Sequence, residues 1–166
     1  MLKRVMLSGV LCAGLAASGA TAEDALVTFK VLSPATALEL ARATLQNCRD
    51  QGYQVSVAVV DRFGTVQVLL RDQLAGIHTP ETARRKASTA VSFRTDTLEL
   101  SELVSSGEVP PGIRQIPGVL VVGGGVRVLA AGSIVGGVGV SGAPGGDLDE
   151  ECARAGIEAI DDKIQF

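Results

Sequence analysis

The sequence predicts an α+β domain: a five-stranded, mainly antiparallel sheet with helices, in the order α-β-β-α-α-β-β-β-α. Three observations carry this. Apolar residues recur at helical spacing behind Ser-Pro and Thr-Pro starts. Valine-rich runs of strand length are joined by short turns, which makes consecutive strands antiparallel neighbours. The helices are segregated between two blocks of strands.

The 166 residues suit one domain, without an internal repeat or linker, and can bury a core without help from disulfides or metal. With 46% hydrophobic and 20% charged residues, the chain does not have the composition of a disordered one. A net charge of −3, one His, four Phe, one Tyr and no Trp argue against nucleic-acid binding. The 20 Gly and the scarcity of aromatics predict an aliphatic core and close backbone approaches.

Taken in order, Lys3 and Arg4 precede an apolar stretch from Val5 to Ala17 and an A-x-A site, Ala20-Thr21-Ala22. This is the layout of a signal peptide cleaved after Ala22, which implies a periplasmic or secreted protein. The apolar stretch is too short for a comfortable membrane span, and Leu11 before Cys12 disfavours a lipoprotein. Cleavage removes Cys12 and both Met, leaving Cys48 and Cys152 in an oxidising compartment. The favoured reading is two separate buried thiols; a bond between them requires the first and last helices to be neighbours.

Residues 23–33 read as an N-terminal arm or strand around Leu26-Val27-Thr28-Phe29, and the domain proper runs over 34–166. Ser33-Pro34 is an N-cap with Pro at the first helical position, and Leu38, Ala41, Leu45 and Cys48 keep helical spacing to about Gly52. Gln54 to Val60 and Thr65 to Leu70 make a hairpin around Asp61-Arg62-Phe63-Gly64. A loop over 71–78 leads to Thr79-Pro80-Glu81, a cap, Pro and acid that open a helix to about Phe93. Its face of Ala83, Ala87 and Ala90 permits close packing, and Arg84-Arg85-Lys86 is a basic run read mainly as a solvated face. Thr95-Asp96 restarts a shorter helix through Leu103, followed by a Pro/Gly loop. Val119 to Val122, Val126 to Ala130 and Ser133 to Ser141 read as strands, with Gly123-Gly124-Gly125 as a hairpin turn. Asp147 and Glu150 resemble a capping box opening the last helix. The glycines concentrate at Gly123–Gly125 and between Gly132 and Gly146, so the C-terminal hairpin is expected to pack tightly against a helix or a neighbouring subunit.

Little in this inventory carries chemistry by itself. The mature chain has too few His and Cys for a zinc site, no nucleophile elbow, and a Gly triplet without the helix and Lys-Ser/Thr pair of a phosphate loop. Asp61 is a general-base candidate but reads better as an Asx-turn residue. His78, the only imidazole, must serve any His-dependent chemistry.

Four segments together resemble a family: Val59-Val60-Asp61-Arg62-Phe63-Gly64, Ala75 through Ala90, Gly123-Gly124-Gly125-Val126, and Val135 through Glu150. In order and spacing they are similar to the GlcG/HbpS family of haem-binding or haem-degrading proteins. The resemblance implies a profilin-like fold and a homo-oligomer built from dimers. It also implies haem as cofactor, in scavenging, redox protection or sensing, with slow haem degradation as a further activity. Haem iron takes His, Met, Cys or Tyr; without Met the mature chain offers His78, Tyr53, Cys48 and Cys152, and the resemblance favours His78, in the family's loop before the second helix, with Arg84 and Arg85 for the propionates and Phe63 and Ile77 for apolar contact. A subunit interface suits such a haem better than a deep monomer pocket. The alternative function is an accessory protein that binds a small carboxylate such as glycolate through Arg84, Arg85 and the Gly-rich loops, or supports a catabolic enzyme. A third reading is an enzyme using Asp61 or His78 as acid/base.

Overall fold

A computed structural model describes residues 25–165; the leader expected at 1–22 lies outside them. Ten elements follow in order: α1 (Pro34–Asp50), β1 (Ser56–Asp61), β2 (Val66–Arg71), α2 (Thr79–Phe93), α3 (Thr97–Ser106), a 3-10 turn (Pro111–Gln115), β3 (Gly125–Ala130), β4 (Ser133–Ser141), α4 (Gly146–Glu158) and α5 (Asp161–Ile164). The strands form one antiparallel sheet in the order β2-β1-β4-β3. No described helix is long and apolar enough to cross a membrane.

The local signals act largely as expected. The Ser33 hydroxyl accepts the Thr36 N–H at 3.2 Å and caps α1. Asp61 Oδ1 accepts the N–H groups of Phe63 and Thr65 at 2.8 and 2.9 Å, an Asx turn that closes the β1–β2 hairpin.

Five expectations need correction, four of them in the strands, turns and helix caps. Among the described residues the sheet has four strands, not five: Val119 to Val122 is not a strand. Arg85 donates to the Val119 carbonyl at 2.6 Å, and the Leu120 N–H donates to the Thr89 hydroxyl at 2.9 Å. That backbone is therefore held by α2 side chains instead of a ladder. The Gly triplet accordingly joins no hairpin. It threads between α2 and the start of α4, where a Cβ on Gly124 would lie 2.6 Å from Asp149 Cβ. Thr79 does not cap α2, because its hydroxyl is spent on the Gly76 carbonyl (2.7 Å) and the Ser56 hydroxyl (2.8 Å), and the cap position falls to His78. The capping box of α4 does not form either. Gly145 is its N-cap, while Asp149 and Glu150 turn to Lys86 and Arg154.

Two layers cover the sheet. On one face α1 and α4 bury the main aliphatic core, including Leu40, Val57, Val59, Val128, Val138, Val140 and Ile160. There Cys48 and Cys152 are joined as a disulfide, contrary to the reading of two thiols. The two helices lie side by side because Gly156 admits Thr44 against the α4 backbone. On the other face α2 sits almost on the sheet backbone, over a small cluster of Val60, Ala87 and Val91. A Cβ on Gly139 would collide with the Ala83 carbonyl, and one on Gly137 would come within 2.7 Å of Val91. The glycine-rich strand thus serves this close approach, and α2 brings its N-terminus to one end of the sheet.

Candidate functional site

The loop from Asp72 to His78 is pinned at both ends. Asp72, buried, accepts from Arg49 Nε at 2.8 Å and from the Val55 N–H at 3.4 Å. Arg71 donates to the Ala75 carbonyl. The loop presents Leu74 (76% exposed) between these anchors, and Ile77 (94% exposed) and His78 beyond them, to solvent. The imidazole folds over Gly76, where a Cβ would come within 2.8 Å of the ring carbon Cε1. The His78 carbonyl accepts from the Thr82 N–H and hydroxyl, which fixes its backbone to α2. Neither ring nitrogen is hydrogen-bonded by a described residue, so both are available to a ligand.

His78 stands at the rim of a cleft of about 380 Å³ between the start of α2 and the 142–146 loop. At the cleft wall Lys86 Nζ meets Asp149 Oδ2 at 2.7 Å, with side chains only 3% and 4% exposed. Asp149 Oδ1 accepts the Ala143 N–H at 3.0 Å. Burial holds the Asp149 carboxyl above the ordinary aspartate range, against the pull of Lys86 and of the Ala143 and Gly142 N–H groups. Asp149 therefore keeps its proton to higher pH in the fold than in the unfolded chain, where it titrates near 3.8. The stability of the protein relative to an Asp149→Asn variant is expected to fall as pH rises from that value through the folded-state midpoint. Urea unfolding of both proteins across the acid range checks this, and a difference that grows with pH contradicts it.

The other sequence-selected residues lie elsewhere. Phe63 and Arg84 line a separate cavity of about 710 Å³, together with Arg62 and Arg94. Phe63 packs edge-on against Phe29 at 5.5 Å, and the Arg62 guanidinium lies 4.1 Å from the Phe29 ring centre. Arg84 is held by Glu81 through two bonds of 2.7 and 2.6 Å, and Arg84 lowers the Glu81 carboxyl below its usual range. Arg85 donates to the carbonyls of Gly118 and Val119. Ile77 and His78 are therefore together, while Phe63 and Arg84 share another cavity. Among the described residues no group of three or more His, Cys, Asp or Glu could hold a metal ion.

The sequence reading missed Leu74, Lys86, Ser141 and Asp149. A signal for Lys86 was present: it falls three residues after Ala83 and four before Ala90, on the small-residue face of α2. Nothing local marks Asp149, whose partner is 63 residues away.

The family model described as "Haem degrading protein HbpS-like" matches residues 32–158. A crystal structure of an HbpS double mutant from Streptomyces reticuli is 41% identical, with a TM-score of 0.77, covering 90% of this chain and 98% of that one. A PduOC:heme complex is 32% identical with a TM-score of 0.71, covering 78% of this chain and 95% of that one. The corrinoid adenosyltransferase PduO of Salmonella typhimurium is 35% identical over 124 residues; the match takes in 74% of this chain but 37% of that protein.

Proposed function

The chain belongs to the HbpS-like family of haem-degrading proteins, and from that membership we propose that it binds haem with His78 as the iron ligand. The observation that carries this is the His78 imidazole itself. It is exposed, has no hydrogen-bond partner among the described residues, and shares its loop with the exposed Ile77, its chain neighbour, and Leu74. These residues fit one face of a haem: a nitrogen donor for iron and aliphatic contact for the ring. When bound, haem supplies redox and oxygen chemistry, while the chain's residues hold and orient it.

In this reading one subunit holds that face. A homo-oligomer, in which a second copy covers the haem's other face, supports the arrangement better than a monomer does. The Cys48–Cys152 disulfide supports export to an oxidising compartment, periplasmic or extracellular. There the protein would act in haem scavenging, redox protection or sensing, with slow haem degradation as its enzymatic extension.

Hemin titration with size-exclusion chromatography tests the reading. The expected result is a saturable Soret shift in a species larger than the monomer. His78→Ala should lose the ligand-bound Soret position with an unchanged far-UV spectrum. A Soret band identical in the two proteins overturns the assignment of His78.

A further inference from the structure

We propose that the cleft floored by Lys86, Ser141 and the start of α4 is a carboxylate-binding site. Two independent observations carry it. The Lys86 ammonium is nearly fully buried and has three N–H donors, yet its one hydrogen bond among the described residues is to Asp149. Buried ammonium groups normally have their donors satisfied, and this one lines an open cleft with N–H directions to spare. The second observation is Ser141, 6% exposed, which lines the same cleft with a hydroxyl that no described residue hydrogen-bonds.

Their placement follows from the sheet. Residues alternate along β4, so Ser141 continues the α2-facing row of Gly137 and Gly139, and it pairs in register with Ser56 beside the start of α2. Lys86 reaches the same end from within α2, because helical side chains lean toward the N-terminus. α4, a 13-residue helix, begins at Gly146 on the cleft wall with no side-chain cap, which leaves its first N–H groups for an anion. The oxygens of Asp149 are committed to Lys86 and to the Ala143 N–H. One ligand oxygen then meets Lys86, and the other meets the Ser141 hydroxyl or the α4 N–H groups.

About 380 Å³ admits a small organic acid or a single carboxylate arm of a larger molecule, not a whole tetrapyrrole. The cleft also offers what Arg84 and Arg85 do not, since those cations are engaged with Glu81 and with backbone carbonyls. The carboxylate can thus come from a free acid or from a propionate of haem held by His78. The second source rests on the haem reading above; the first does not.

The experiment has two arms on the mature, disulfide-bonded protein. In the first, acetate, lactate and succinate are titrated into haem-free protein while amide NMR shifts are followed, with acetamide as the neutral control. In the second, hemin is compared with its dimethyl ester, whose propionates are uncharged. Either source predicts a response centred on residues 141–146 and Lys86, by the acids in the first arm or by a preference for free hemin in the second. Ser141→Ala should weaken that response roughly tenfold, and the pair Lys86→Met with Asp149→Asn should abolish it without leaving a buried charge. Acids that shift these amides while hemin fails to bind support the site and refute the haem reading. No acid response together with equal affinity for hemin and its ester overturns the proposal, as does a response unchanged in Ser141→Ala and in the double variant.

Discussion

Replacing Cys48 and Cys152 together with Ala is expected to lower the free energy of unfolding by about 3–5 kcal/mol. The bond joins residues 104 apart in sequence, so it removes much of the freedom of the unfolded chain. It also ties the first helix to the last on the buried face of the sheet, where both cysteines are fully buried. Ala at both positions keeps the site apolar, which leaves loss of the cross-link as the main cost. Urea unfolding of the oxidised protein and the double variant measures the effect. A difference below about 1 kcal/mol would mean that packing of α1 on α4 suffices and that the link adds little. Because the sulfurs are buried, reductant should act through unfolding, so the folded protein should resist it under native conditions.

Lys86→Met is expected to cost about 3–5 kcal/mol, because it leaves Asp149 buried without its counter-charge. The double change Lys86→Met with Asp149→Leu should recover much of this, since an apolar pair of similar volume suits the site. The loss also has a pH signature. Asp149 is already held above the ordinary range by burial, and removing Lys86 raises it further. A protonated Asp149 carries no charge to bury, so the deficit of Lys86→Met should shrink as the solution is made acid. Chemical denaturation of the three proteins at neutral and acid pH reads both effects. A deficit that is independent of pH would show that lost packing of the lysine stem, not the charge, is responsible.

How much of the site was legible differs from residue to residue. His78 stood out as the only imidazole, and its loop between the hairpin and α2 was placed correctly. Lys86 was absorbed into the Arg84-Arg85-Lys86 run, although the alanines around it share its face. Adjacent helical residues point in different directions: Arg84 meets Glu81, Arg85 meets the 118–119 backbone, and Lys86 goes inward. Ser141 looked like a plain strand end, and its significance appears only once Lys86 and α4 close around it.

By itself the sequence determined the four main helices and four of the five expected strands, in their order, through short-range physics. Helical and alternating periodicity, the Ser33 cap and the Asp61 turn depend on residues a few positions apart, and each formed as read. Glycine in β4 likewise announced a close approach, which α2 makes. Tertiary structure alone decided whether the two cysteines meet, whether Val119 to Val122 joins the sheet, and which cation of the basic run is buried. Those outcomes depend on which distant backbone or side chain competes for each group. The Arg85 and Thr89 side chains took the backbone groups of Val119 and Leu120, and Asp149 across the α2–α4 contact drew Lys86 out of water.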